Sequence, residues 1–224
     1  MRRVPSRELL DDDAGTPREI ADSLADVRFL NRYFGGVSTT VDMLKRIARE
    51  TGASRFSMLD AAAGSGDMAE AVRARLQRAG VNLQLTMLDR MATHMGPGEN
   101  RVQGDALALP FRDGAFDLVS CCLFVHHLAP AQVREFVKEA LRCGRVAVLI
   151  NDLIRDPVHL ATAQLGRFIY RSRITVNDSA ASVRQAYTVE EMRRMLSLNG
   201  AARVEISRHY FYRMGAVVWK TVVR

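Results

Sequence analysis

Several residue types are scarce in this chain of 224 residues, and each scarcity narrows the class of protein. The three cysteines, Cys121, Cys122 and Cys143, lack the spacing of metal ligands, so we interpret them as apolar core residues and predict no metal site. No segment approaches the ~20 apolar residues of a membrane span, and residues 1–8 lack the apolar centre of a secretory signal. These absences predict a cytoplasmic protein without a membrane span.

Lysine is scarce as well: only 3 of the 32 basic residues are lysines, which indicates a base-composition bias in the source genome. The net charge of +7 is concentrated in residues 151–224, which hold 12 Lys and Arg against 6 Asp and Glu. These basic residues form no dense cluster and no aromatic stacking platform, which argues against a nucleic-acid partner. We interpret them as a solvated basic face, with an acidic or phenolate-like substrate as the main alternative.

Residues 56–67 are the most informative stretch that is present. Residues 56–59 are apolar and predict a central strand of a parallel sheet, buried on both faces. Gly64 and Gly66 then allow a tight turn and a close approach of bare backbone to a ligand. Residues 68–79 have helical spacing of apolar side chains. The order of strand, glycine turn and helix is typical of a loop that binds a nucleotide-type cofactor.

Two cofactors compete for this loop. Residues 64–69 also fit the dinucleotide fingerprint, with Asp89 as its ribose acid. Asp67 argues against a dinucleotide, because a carboxylate at the start of the helix would lie where a pyrophosphate needs positive charge. S-adenosylmethionine carries a sulfonium and an ammonium and no phosphate, so it favours nearby acids. A plain turn with a helix-capping Asp67 is the third interpretation.

Further acids follow predicted strands. Residues 82–89 form a strand that ends in Asp89, residues 102–106 a short strand with Asp105, and residues 116–124 a fourth strand. Ligands bind at the carboxyl ends of strands in open α/β sheets. Asp89 is therefore suited to accept both ribose hydroxyls, and Asp105 to accept a hydrogen bond from an adenine amino group.

With these motifs in this order, residues 30–224 resemble the class I S-adenosylmethionine-dependent methyltransferases. The resemblance implies an α/β fold of the Rossmann-like type, with a seven-stranded, mostly parallel sheet, helices on both faces and an antiparallel C-terminal strand pair. It also implies S-adenosyl-L-methionine as the cofactor. Ala62 stands where the family usually has glycine. The cofactor-binding residues implied by the resemblance are Asp60, Ala62, Gly64, Gly66, Asp89, Arg90, Asp105, Ala106 and Cys121.

A narrower resemblance concerns the second half of the chain. Residues 145–150 are apolar and predict a fifth strand. Residues 151–153, an insertion that follows them and residues 182–184 are similar to small-molecule methyltransferases found beside type III polyketide synthases and to quinone-biosynthesis methyltransferases. This resemblance implies O- or C-methylation of a small aromatic, polyketide or quinone-like acceptor. The chain lacks the N-P-P-Y and Pro-Cys motifs of enzymes that modify nucleic-acid bases. An RNA or protein methyltransferase and a non-catalytic cofactor-binding subunit are the alternatives.

The N-terminal residues predict two helices. Residues 16–19 form a capping box, Gly35 and Gly36 stop the first helix, and residues 40–49 form the second. We expect residues 1–52 to form a helical cap and residues 53–224 a methyltransferase domain with an inserted lid at about 153–187. Residues 188–191 are predicted to cap a helix that runs through Leu198, and residues 201–208 and 215–223 to form the last two strands.

Candidate residues for catalysis and acceptor binding come from the strand ends and the lid. A phenol with a pKa of ~10 benefits from a base near neutrality, so His126 or His127, after strand four, is the predicted general base, with His159 next. Arg184 is predicted to hold an anionic oxygen with its planar fork of donors. The predicted substrate-binding residues are Arg32, Tyr33, Phe34, Phe124, Asn151, Asp152, Arg155, His159, Arg184 and Tyr187.

Overall fold

The computed structural model describes residues 1–96, 98–197 and 201–220. Within these ranges seven strands form one sheet in the order β3-β2-β1-β4-β5-β7-β6. Neighbouring strands are parallel except for β7, which is antiparallel to β5 and β6. The α/β fold class predicted from the sequence is thus confirmed. The strands are β1 Arg55–Ala61, β2 Asn82–Asp89, β3 Arg101–Gln103, β4 Phe116–Cys122, β5 Gly144–Leu153, β6 Arg203–His209 and β7 Arg213–Trp219.

Helices cover both faces of the sheet and the edge where β1, β2 and β4 end. Two short 3-10 turns, Val125–His127 and Gly166–Phe168, link them to neighbouring elements. None of the helices in the described ranges is both long enough and apolar enough to cross a membrane. The helices are α1 Pro17–Tyr33, α2 Gly36–Thr51, α3 Asp67–Gln77, α4 Pro130–Cys143, α5 Pro157–Leu165, α6 Arg173–Gln185 and α7 Val189–Leu196.

Local capping signals explain where several helices begin. Thr16 and Thr188 form the predicted capping boxes, and the carboxylates of Glu19 and Glu191 accept a hydrogen bond from the backbone N–H of the capping threonine. The second helix starts at Gly36 rather than at residue 40, because Gly35 turns the chain with a left-handed φ of 87°. The predicted helix residue Leu198 and the last predicted strand residues, 221–223, lie outside the described residues.

The end of β5 differs from the sequence prediction. The strand does not stop at residue 150 but continues to Leu153, because β7 pairs with it as far as Leu153 opposite Arg213. Asn151 and Asp152 are therefore strand residues whose side chains point to opposite faces of the sheet. One face receives α2, and the other receives the 3-10 turn after β4.

Apolar layers on both sides hold the sheet. Phe136 of α4 and Met192 of α7 are fully buried on one face. Leu44 and Ile47 of α2 and Leu76 of α3 are fully buried on the other. Full burial of such side chains stabilises the fold by roughly 1.5–3 kcal/mol each. Helix α2 is thus part of the sheet packing, while α1 packs against α6 of the insertion.

Candidate functional site

A cavity of about 660 Å³ lies at the carboxyl ends of β1, β2 and β4. The glycine loop after β1 forms one wall, and helices α1, α5 and α6 form the opposite wall. N-terminal residues Glu8, Leu10 and Asp11 cover part of the opening. Its size lies within the range of ~300–1,000 Å³ that is usual for small-molecule and cofactor sites.

The glycine loop has the conformation that cofactor loops of this type need. Ala62, Gly64 and Gly66 all have left-handed φ angles, of 57°, 53° and 78°. Ala62 thus adopts the backbone of the glycine that it replaces. A Cβ atom at Gly66 would collide with the side chain of Met87, so close packing between loop and β2 requires glycine there. The amide of Gly64 donates to Oδ2 of Asp89 at 2.7 Å, which ties the loop to the end of β2.

Carboxylates surround this loop. Asp60 is buried, and its Oδ1 accepts a hydrogen bond from Ser120 Oγ at 2.5 Å. Burial first, and then the negative charge of Asp89, raise the pKa of Asp60 to about 6. Asp67 and Asp105 line the same part of the cavity. An acidic wall beside exposed loop backbone fits a cofactor that is cationic and has no phosphate. S-adenosylmethionine has both properties.

The pKa of His126, a buried side chain at the cavity, is strongly shifted by its neighbours. The side chain is 2% exposed, its Nδ1 donates to Asp152 Oδ1 at 2.6 Å, and its Nε2 lies 3.4 Å from Glu8 Oε1. Burial alone would lower the pKa of His126, but the carboxylates of Asp152 and Glu8 outweigh it and raise the pKa to about 10. The ring is therefore cationic at neutral pH.

Two further histidines at the cavity pair with acids of the N-terminal segment. His127 Nδ1 lies 2.9 Å from Asp11 Oδ2, and His94 Nε2 lies 2.7 Å from Asp13 Oδ1. We call residues 1–13 the N-terminal strap, because residues 8, 10 and 11 line the cavity and the backbone is hydrogen-bonded to α6. Asp178 of α6 accepts the backbone amides of residues 9 and 10, at 2.9 and 3.0 Å. The strap contributes Glu8 and Asp11, which sequence reasoning missed because they stand in no recognisable motif.

His159 has the opposite electrostatic character. Its Nδ1 donates to the carbonyl of Ile154 at 2.9 Å, which leaves Nε2 with the lone pair. Burial first, and the nearby Arg213 as well, lower the pKa of His159 below its usual value. The ring stacks on Tyr212 and lines the cavity. His159 is thus a neutral imidazole at physiological pH.

The structure brings most predicted site residues to the cavity. Gly66 caps α3 just outside it, and Cys121 is buried in the sheet while its neighbour Cys122 lines the wall. The predicted residues that line the cavity are Asp60, Ala62, Gly64, Asp89, Arg90, Asp105, Ala106, Phe34, Phe124, His126, His127 and His159.

Other predicted substrate-binding residues have structural contacts instead. Asn151 donates to the Gly36 carbonyl and to Thr40 Oγ1, at 2.7 and 2.8 Å, and so joins β5 to α2. Tyr187 donates its hydroxyl to the Leu128 carbonyl at 2.6 Å. Neither side chain lines the cavity among the described residues. The same holds for four further predicted residues, Asp152, Arg155, Arg32 and Tyr33.

Arg213 lines the cavity, as Arg28 and Arg90 do, whereas Arg184 does not. Arg184 is exposed on α6, because its neighbours Val183 and Gln185 occupy the buried face of that helix. Arg213 is 3% exposed, lines the cavity and donates to Asn31 Oδ1 at 2.9 Å. The available sequence signal was a lone arginine at the start of the apolar strand β7.

Comparison with known proteins agrees with this geometry. Residues 58–146 match the family model described as "Methyltransferase domain". No curated protein sequence matches the chain significantly. The chain is similar in structure to the plantazolicin methyltransferase BpumL in complex with SAH, with 12% identity, a TM-score of 0.70, and 96% of this chain and 95% of that chain covered.

Two other solved structures are similar over most of their length. One is a SAM-dependent methyltransferase from Aquifex aeolicus, with 15% identity, a TM-score of 0.56, and 79% of this chain and 89% of that chain covered. The other is magnesium protoporphyrin IX methyltransferase from Synechocystis with bound SAH, with 15% identity, a TM-score of 0.51, and 81% of this chain and 82% of that chain covered.

The matched domain, the fold and the cofactor loop together define the class of protein. The chain is an S-adenosylmethionine-dependent methyltransferase with a class I fold, and S-adenosylmethionine is its cofactor. Asp60, Gly64, Asp89 and Asp105 line the cavity at the end of the sheet, where we propose that the cofactor binds.

Proposed function

We propose that this methyltransferase acts on a small aromatic, polyketide or quinone-like acceptor, at a hydroxyl oxygen or an electron-rich carbon. The observation that carries the proposal is the aromatic wall of the cavity opposite the cofactor loop. Phe34 and Phe211 line it with ring centroids 4.7 Å apart, and Phe211 lies 5.9 Å from His159. Flat aromatic acceptors pack well against such rings.

His159 is the side chain best suited to receive the acceptor proton. The cofactor supplies a methyl group that is already electrophilic, so the protein has to place the acceptor and manage one proton. In O-methylation the acceptor hydroxyl gives its proton to Nε2 of His159, and an oxygen lone pair forms the new bond to carbon. The electron pair of the broken carbon–sulfur bond stays on sulfur. A neutral His159 is competent for this step because its Nε2 is unprotonated.

His126 and Arg213 take a different part in this proposal. The carboxylates of Asp152 and Glu8 raise the pKa of His126 to about 10, so this ring holds its proton and is not the base. The guanidinium of Arg213 lines the same cavity and supplies a positive charge. Arg213 therefore favours an acceptor that develops phenolate or enolate character. His127 remains a candidate base, with Asp11 at its Nδ1.

A screen of phenols and hydroxyquinones with labelled cofactor tests the proposal. On an acceptor so identified, we expect His159→Gln to lower kcat/KM by about 10²-fold or more, the usual range for loss of a general base. The acidic limb of the pH profile should disappear in the same variant. His209→Gln is the matched control, because His209 is a half-buried histidine of β6 outside the cavity.

Two outcomes would contradict the proposal. Turnover of RNA or protein, with no phenol accepted, would move the chain to the macromolecular class. Tight SAH binding without turnover of any acceptor would favour a non-catalytic cofactor-binding subunit. A kcat/KM of His159→Gln within two-fold of the parent would remove His159 from the mechanism while leaving the acceptor class intact.

A further inference from the structure

We propose that Glu8, His126 and His127 form a site for one divalent transition-metal ion, zinc being the best match, at the wall of the cavity. One donor atom from each of the three residues lies within 4.8 Å of the other two. Glu8 Oε1 and His126 Nε2 lie 3.4 Å apart, a separation that suits two ligands of one ion. Two imidazoles and one carboxylate are a ligand set that zinc accepts while keeping a further position open.

The unpaired nitrogen of His126 is the first observation that supports a bound ion. Within the described part of the chain, Nε2 of His126 has no hydrogen-bond partner, although the side chain is 2% exposed. Buried polar atoms are normally paired, so an orphan of this kind needs an explanation. The atom belongs to a cavity-lining residue and lies 3.4 Å from Glu8 Oε1 without forming a hydrogen bond, so a metal ion that displaces the Nε2 proton would bind both groups.

The carboxylates behind the two imidazoles are the second observation. Asp152 holds Nδ1 of His126 at 2.6 Å, and Asp11 holds Nδ1 of His127 at 2.9 Å. Metal-binding histidines usually donate their other nitrogen to a carboxylate in this way, which orients the ring and strengthens it as a ligand. Both of these consecutive histidines have such a carboxylate, and both lie near a third acid, Glu8. Capping of a short 3-10 turn does not require this arrangement.

Glu8 is also held in place by side chains of α6, through the same oxygen that faces His126. Its Oε1 accepts hydrogen bonds from Ser182 Oγ and Gln185 Nε2, each at 2.6 Å. These contacts fix a strap residue against α6 at the edge of the cavity. The ion would therefore join the N-terminal strap to the methyltransferase fold. Its open position would face the cavity, and any contact with an acceptor oxygen there rests on the proposed function.

The experiment measures metal binding directly on untagged protein freed of metal with a chelator. We expect equilibrium dialysis against zinc chloride to give about one zinc per chain, and cobalt(II) to give the visible absorption of a low-coordinate site. Glu8→Gln and His127→Asn should each weaken zinc binding by about ten-fold or more. Asp13→Asn is the matched control, because it removes an acid–histidine contact of the same strap without touching the three ligands.

Calorimetric titration with SAH on the same samples keeps the outcomes apart. Normal SAH affinity with no bound zinc would overturn the metal site and leave the methyltransferase assignment untouched. Equal zinc affinity in Glu8→Gln and the parent would also overturn it, as would equal losses in Glu8→Gln and Asp13→Asn. Loss of SAH binding in the parent would instead challenge the proposed function.

Discussion

At the scale of single residues, Asp60 makes cofactor binding depend on pH. Its pKa is raised to about 6, so its carboxyl is neutral below that pH and charged above it. The ammonium group that S-adenosylmethionine and SAH share prefers the charged form of Asp60. We expect the affinity for SAH to fall by about ten-fold between pH 7.5 and pH 5, following one protonation per site. Calorimetry across this range checks the prediction, and Asp60→Asn should remove most of the dependence. An identical pH profile in that variant would exclude Asp60 as the titrating group.

Asp89 is the second residue with a measurable effect on the cofactor. Its two oxygens accept hydrogen bonds from the amides of Gly64 and Met91, at 2.7 and 2.8 Å, so the side chain orders the loop in addition to its proposed contact with the ribose. We expect Asp89→Ala to weaken SAH binding by ten-fold or more, about 1.4 kcal/mol. Unchanged affinity by calorimetry would refute the assignment, and preferential binding of NADH would refute the cofactor itself.

At the scale of elements, the N-terminal strap is held to the fold by hydrogen bonds along its length, and a single substitution at Asp178 removes two of them. Asp178 accepts two strap amides, and those hydrogen bonds are worth about 1–3 kcal/mol together. We expect Asp178→Ala to make residues 1–13 about ten-fold more sensitive to limited proteolysis and to raise the KM for the acceptor. Mass spectrometry of the fragments measures the first effect. Asp22→Ala is the control, since Asp22 is a half-buried acid of α1 that lies 3.9 Å from Arg18. Equal cleavage of the two variants would contradict the prediction.

At the scale of the whole molecule, ion pairs with acidic side chains offset the positive charge of many C-terminal arginines. Acids from the N-terminal half reach the C-terminal arginines, as in Arg173–Glu19 and Arg203–Glu50. Arg193 and Arg194 both pair with Glu190. We therefore expect RNA retention to be weak at 50 mM salt and to change little at 200 mM salt, without the steep salt dependence of a phosphate-binding surface. Filter binding at both salt concentrations checks this, and tight, salt-sensitive retention would favour a nucleic-acid substrate.

Local signals in the sequence determined the sheet and its cofactor loop. Apolar runs that end in Asp60 and Asp89, and glycines at 64 and 66, specify strands and a tight turn through backbone physics that acts over a few residues. Capping boxes at Thr16 and Thr188 specify helix starts for the same reason. These features place the cofactor acids at one edge without knowledge of any distant contact.

Only the tertiary structure decided which residues complete the acceptor side. Pairing with β7 extends β5 and turns Asn151 toward α2, while Asp152 meets His126 on the other face. The choice of Arg213 over Arg184 depends on which face of each element is covered, and the contact of Glu8 with His126 joins residues more than a hundred positions apart in the chain. Local patterns carry no information on such pairs, because long-range packing and strand pairing determine them.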